Sequence, residues 1–259
     1  MNATKPFILI TNDDGYQATG IRLLTEWLSA IASVVVVAPH THRSGQSSAI
    51  TVEHPISAEK VVDTKNLVVY SCSGTPVDCV KLAINRLCKR KPDLVVSGIN
   101  QGGNSSTAII YSGTMGAAME GTICGIPAVG FSYLGATIDT DFSPLKPYVE
   151  NIVETVLKKG LPDGVCLNVN FPESASFKGI VWARQARGRW TEEFRVTRDE
   201  EGREVYQLVG DFVDLDKGAC DTDEWALQNG YVSIVPSKID MTAYEFLSEM
   251  NDWFTNNKK

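Results

Sequence analysis

Two adjacent carboxylates, Asp13 and Asp14, follow the apolar run Phe7–Thr11. Placed side by side they repel each other unless a positive charge sits with them. Oxygen donors of this kind suit Mg2+, Mn2+ or Ca2+. An Asx-type turn on Gly15 with both aspartates solvated would use the same residues. Three other segments carry related chemistry. His42-Arg43-Ser44-Gly45-Gln46-Ser47-Ser48 offers a cation, several hydroxyls and a glycine that lets backbone approach a ligand. Ser97-Gly98-Ile99-Asn100-Gln101-Gly102-Gly103-Asn104 offers amide oxygens for a hard cation and amide hydrogens for phosphate oxygens. Ser112-Gly113-Thr114 opens a small-residue helix, and the free N–H groups of a helix start form an anion site. Taken singly, each is readable as a turn, a polar loop or an ordinary helix cap. Together they are the parts of metal-assisted phosphoester hydrolysis.

The elements that must position these groups follow from hydropathy. Phe7–Thr11 reads as a buried strand, residues 20–32 as a helix with apolar positions Ile21, Leu24, Trp27, Leu28 and Ile31, and Ser33–Ala38 as a second strand. Strand, helix and strand in this order make a right-handed βαβ unit. The alternation continues with strands at 67–71, 94–97, 128–131 and 166–170. Helices are predicted at 76–87, from Ser112 to about Gly121, and at 145–158; Thr75 is the N-cap of the first and Pro76 its first residue. This predicts a Rossmann-like, doubly wound, mostly parallel α/β sheet with helices on both faces, over residues 1–172. In such sheets ligands bind beyond the carboxyl ends of the strands, where all four segments lie. Residues 173–259 change character. Val196–Leu208 reads as a hairpin turning at Asp199–Gly202, Tyr231–Val235 as a returning strand and Tyr244–Phe254 as a closing helix. A two-stranded hairpin is rarely stable alone, so this arm is expected to pack on a partner subunit.

The chain has 259 residues, 43% of them hydrophobic and 21% charged, with a net charge of -7. This excludes a disordered chain and a binder with a broad basic face for duplex nucleic acid. The three histidines, His40, His42 and His54, are too few for a histidine-rich metal shell. No apolar run reaches the roughly 18 residues of a membrane span, and no signal-peptide layout is present, so a cytoplasmic protein is expected. The six cysteines form no C-x-x-C and read as reduced, buried core residues. G-x-G-x-x-G is missing from the first βα turn, and neither a P-loop nor a G-x-S-x-G elbow occurs. Tyr111 and Trp190 read as core packing rather than as platforms for a base.

Several motifs, in register, resemble the SurE family of stationary-phase survival proteins. They are Thr-Asn-Asp-Asp-Gly at 11–15, Ala-Pro at 38–39 with Arg-Ser-Gly-Gln-Ser at 43–47, and Gly-Thr-Pro-Val-Asp-Cys-Val at 74–80. Val-Ser-Gly-Ile-Asn at 96–100, Tyr-Ser-Gly-Thr-Met-Gly-Ala-Ala-Met-Glu-Gly at 111–121, Arg-Gln-Ala-Arg-Gly-Arg-Trp at 184–190 and Gly-Tyr-Val-Ser-Ile-Val-Pro at 230–236 complete the set. The resemblance implies a 5′/3′-nucleotidase that uses one divalent cation, Mg2+ or Mn2+, to remove phosphate from nucleoside monophosphates. It implies Asp13, Asp14, Ser44 and Asn100 as metal ligands, and Asn104, Ser112, Gly113 and Thr114 as the phosphate-holding catalytic set. It also implies a homodimer or homotetramer with an exchanged C-terminal arm. Many members carry an aspartate four residues before the Ser-Gly-Thr, where this chain has Ala108. A non-catalytic sensor of metal and phosphate on the same pocket is the alternative reading. A receiver-like phospho-accepting domain is disfavoured, because no lone acceptor aspartate follows a later strand.

Overall fold

The computed structural model describes residues 5–135, 137 and 140–250. The first half alternates β1 (Phe7–Thr11), α1 (Thr19–Ile31), β2 (Ser33–Pro39), β3 (Ala58–Asp63), β4 (Leu67–Cys72), α2 (Pro76–Leu82) and β5 (Leu94–Gln101). Then come α3 (Gly113–Ile123), β6 (Ala128–Tyr133), α4 (Lys146–Lys159) and β7 (Val165–Phe171). The strands sit in the order β4-β2-β1-β5-β6-β7, and every neighbouring pair among these six is parallel. From β1 the chain winds outward first to one side and then, from β5, to the other. The crevice between β1 and β5 is therefore the topological switch point of the sheet.

Alternate side chains of the strands feed two cores, as a sheet covered on both faces requires. Ile8 and Ile10 face α1 and α4 with Leu24, Leu28, Val149 and Val153, while Phe7 and Leu9 face α2 and α3 with Cys79, Val80, Met115 and Ala118. The expected helix at 76–87 divides: α2 ends at Leu82 and a single π-helical turn spans Ala83–Leu87. Its start is as expected, with Thr75 and Asp78 forming a reciprocal capping box. Strand β5 runs past Ser97 to Gln101 through an irregularity at Gly98. Gly98 has φ +127°, and a Cβ there would collide with the Phe131 carbonyl. Only glycine allows the bulge that re-aims Asn100.

The second half adds β8 (Ile180–Trp182), β9 (Gly188–Thr191), β10 (Phe194–Arg198), β11 (Glu204–Leu208) and β12 (Asp211–Asp214). It ends in α5 (Asp223–Gln228), β13 (Val232–Lys238) and α6 (Tyr244–Glu249). The returning strand β13 joins the central sheet antiparallel to β7, and β8 follows it; β3 caps the far edge antiparallel to β4. The hairpin β10–β11 and the pair β9–β12 are separate two-stranded ribbons. Positions 251–254 of the expected closing helix lie outside the described residues.

All six cysteines are free. Cys72, Cys79 and Cys166 are buried, but Cys220 is exposed in the turn before α5, which corrects the expectation that all six are core residues. Tyr111 and Trp190 are corrected too: both are exposed rather than in the core, and the Trp190 ring meets Phe212 edge-on, at 5.6 Å between ring centroids. Among the described residues no helix is long and apolar enough to cross a membrane.

Candidate active site at the sheet switch point

Asp13 and Asp14 emerge from β1, where Asn12 turns the chain by bonding both the N–H and the carbonyl of Gly15. Asp13 is buried. Its Oδ1 accepts the Thr114 hydroxyl at 2.6 Å. The helix start of α3 presses directly on it: a Cβ on Gly113 would lie 3.0 Å from the Asp13 Cβ and 3.1 Å from its Oδ2. Gly113 is needed here for close approach, not for a turn. Burial raises the Asp13 carboxyl above its usual range, against the lowering effect of the Thr114 bond. Asp14 is pushed up to about 6 by burial and by the Asp13 charge. Its Oδ2 accepts the Gln101 N–H at 3.3 Å, and His42 Nδ1 lies 3.4 Å from its Oδ1.

Three of the four loops thus meet on the aspartate pair. The loop after β2 is tied in through Arg43, whose N–H donates to the Asp13 carbonyl at 2.7 Å. Ser44 follows, exposed, with no hydrogen bond of its own hydroxyl among the described residues. Asn100 donates its amide to the Gly102 carbonyl at 2.7 Å, which leaves the side-chain oxygen as the group able to ligate. Asp13, Asp14, Asn100 and Ser44 would offer a cation two carboxylates, one amide oxygen and one hydroxyl, all hard oxygens. No cluster of three or more His, Cys, Asp or Glu side chains suited to a metal occurs among the described residues. Oxygen donors and two crowded carboxylates with raised affinity for protons fit a hard divalent cation better than zinc.

Ser112 caps α3, its Oγ accepting the Met115 N–H at 3.0 Å, so that the first backbone N–H groups of the helix face outward beside Asp13. The structure separates the roles within the Ser-Gly-Thr triplet. The Thr114 hydroxyl is committed to Asp13, and Ser112 orders the helix start.

Asn104 lies at the ends of β6 and β7, in a buried amide network. Its Nδ2 donates to Ser132 Oγ at 2.7 Å, its backbone N–H to Asn170 Oδ1 at 2.7 Å, and its carbonyl accepts Asn168 Nδ2 at 2.8 Å. Asn170 in turn donates to Asn168 at 2.9 Å. The next two residues are held from the second half of the chain. Asp223 is fully buried; its carboxylate accepts the N–H groups of Ser106 and Ala186, each at 2.8 Å, and of Glu224 at 2.9 Å. Glu224 Oε1 accepts the Ser105 hydroxyl at 2.6 Å. Burial raises both carboxyls. The sequence marks Asp223 and Glu224 only as members of an acidic crowd at 211–224, and gives Ser132, Asn168 and Asn170 no role. The alternation of Asn168 and Asn170 along an otherwise apolar strand is the signal that could have found two of them. Ala108 sits in the 3-10 turn Ser106–Tyr111, half-buried.

A family model described as "Survival protein SurE" matches residues 8–192. The chain is 51% identical over 256 residues to "5'-nucleotidase SurE" of Flavobacterium psychrophilum, covering 98% of this chain and 99% of that protein. It is 50% identical over 260 residues to the protein of the same name from Christiangramia forsetii, covering 99% and 100%. Among solved structures, the SurE protein from Aquifex aeolicus matches with a TM-score of 0.81 and 37% identity, over 95% of this chain and 98% of that one.

Proposed function

The chain belongs to the SurE family, and from that membership we propose that it hydrolyses nucleoside 5′- or 3′-monophosphates to nucleoside and phosphate, using one divalent cation, Mg2+ or Mn2+. The observation that supports this reading is the contact between the buried Asp13 and the start of α3, which would bring a cation held by the carboxylates next to an anion held by the helix N–H groups.

Asp13 and Asp14 would hold the cation, with the oxygens of Asn100 and Ser44 completing the protein's share of the shell. When bound, such an ion supplies Lewis acidity, offsetting phosphate charge and acidifying the attacking water. The chain's own groups do the rest. Thr114 fixes the Asp13 carboxylate in one orientation. The N–H groups at Gly113 and Thr114 receive phosphoryl oxygens, and losing one such preorganised donor costs on the order of 10²–10³ in rate. Asn104, anchored through Ser132 and β7, presents its remaining amide hydrogen to the same oxygens. Water attacks phosphorus and loses a proton to bulk water, the bond to the nucleoside oxygen breaks, and a solvent proton neutralises that oxygen, since Ala108 has none to give.

The hairpin β10–β11 supports assembly from copies of the chain, as a homodimer or homotetramer. The cross-strand pairs Phe194–Leu208 and Val196–Tyr206 put four apolar side chains on one face, each more than half exposed. Six free cysteines suit a reducing compartment, and we place the protein in the cytoplasm on that ground.

The test is phosphate release from a panel of nucleoside monophosphates, with Mn2+, with Mg2+ and in EDTA. Release that requires the cation and disappears in Asp13→Asn is expected. Undiminished release in EDTA would sink the metal-dependent mechanism, and tight binding with no release would favour the sensor.

A further inference from the structure

The sheet end opposite the aspartate pair carries a second concave feature. A cavity of about 470 Å³ lies at the amino ends of β1, β2 and β4, rimmed by Lys5, Lys60, Lys65, Lys89 and Arg90. Phe7 at its floor is six residues before Asp13 along an extended strand and turn, which separates the two sites by about 20 Å. Among the described residues the only carboxylate in the lining is Asp63, which pairs with Lys60 at 2.8 Å; Asp93, just outside, pairs with Arg90 at 2.9 Å. The Lys5 ammonium donates to the Ser29 carbonyl at 3.0 Å, whereas Lys65 and Lys89 form no ion pair among the described residues and are exposed. In a chain of net charge -7 this concentration of cations runs against the overall balance. Like charges gathered around one hollow repel each other, and an anion placed among them removes that cost.

The floor of the cavity has a different character. It is formed by the Phe7 and Tyr70 rings with Val34, Val35 and Leu87. The Arg90 guanidinium lies 5.0 Å from the Phe7 ring centroid, and the Lys60 ammonium 5.9 Å from that of Tyr70. These cation–π contacts hold two of the five charges at the rim. An apolar floor with a few convergent charged groups is the build of a small-ligand site. We propose that this cavity binds a phosphate-bearing anion, with its phosphates on Lys65 and Lys89. A nucleotide, with its base on the floor, and an inorganic oligophosphate share that chemistry. The proposal stands apart from the nucleotidase reading and uses none of its residues.

The experiment is isothermal titration calorimetry of the full chain with ADP and, separately, with tripolyphosphate. EDTA is present throughout, so that no cation at the aspartate pair recruits phosphate. The double variant Lys65→Gln/Lys89→Gln is titrated alongside. Wild-type binding of either probe, weakened roughly tenfold in the double variant and by added salt, is expected. Binding of ADP alone assigns a nucleotide site; binding of both assigns a site read through phosphate charge. Failure of the wild type to bind either probe at millimolar concentration would overturn the proposal, as would equal affinity in the double variant.

Discussion

Asp14 is held up to about 6 by burial and by the charge of Asp13. In the unfolded chain the same carboxyl titrates near 3.9. Between roughly pH 4 and 6 the folded, metal-free protein therefore binds more protons than the unfolded one, and its stability falls as pH rises through that window. Asp14→Asn removes this penalty. At pH 7 in EDTA the variant is expected to be more stable by up to about 3 kcal/mol, read from urea unfolding. An unchanged midpoint would show that the pair is not strained. At the proposed cation site protons and metal would compete for the same oxygens, so the affinity for Mn2+ measured by calorimetry is expected to weaken as pH drops below about 6. Thr114→Val keeps the shape of the side chain but deletes the hydroxyl that orients Asp13. Loss of an outer-shell partner of this kind weakens metal affinity by about 10–100-fold. A variant with unaltered Mn2+ affinity and reduced turnover would instead give Thr114 a direct role on phosphate.

Asp223 works at the scale of an element. Its buried carboxylate accepts N–H groups from Ser106, Ala186 and Glu224 and so ties α5 to the loop that carries Asn104. An amide in its place must point its NH2 at one of these donors. Asp223→Asn is expected to cost roughly 1–3 kcal/mol in stability. It should also raise KM for the nucleotide by loosening the Asn104 loop; a stability loss with unchanged KM would reduce it to a purely structural tie. This strut was not legible in the sequence, whereas the aspartate pair was. The buried parallel strands β1, β2, β4, β5, β6 and β7 announce themselves as short runs of Val, Ile and Leu, and the strand ends locate the loops. Strand β3 has no such signal: Ala58–Asp63 is a largely exposed edge strand, and charge at an edge is what protects it. Helix α5 has six residues and is capped by Thr222, inside a stretch that reads only as a crowd of acids. Its carboxylates reveal their purpose only when folding brings them against Ser105 and Ser106, residues more than a hundred positions earlier. The ion pairs of the shielded Asp216 carboxylate with the exposed Arg184 and Arg187, each 2.8 Å, are hidden in the sequence for the same reason.

For the molecule as a whole, the exposed apolar face of β10–β11 is the feature to test. Replacing Phe194 and Tyr206 by serine alters nothing buried in the chain. It is expected to shift the protein to a smaller species by light scattering at micromolar concentration, while unfolding of each subunit is little changed. An unshifted mass would place the assembly contact elsewhere. The antiparallel strand β13 has a consequence of another kind. It covers the edge of β7, yet it is made much later than β7 itself, because β8, both ribbons and α5 come between. During synthesis, β7 must wait for about sixty further residues before its outer neighbour leaves the ribosome, on the order of 3–12 s at ordinary elongation rates. For that interval the growing chain exposes a buried-type strand edge with open N–H and C=O groups, the kind of surface on which neighbouring nascent chains aggregate.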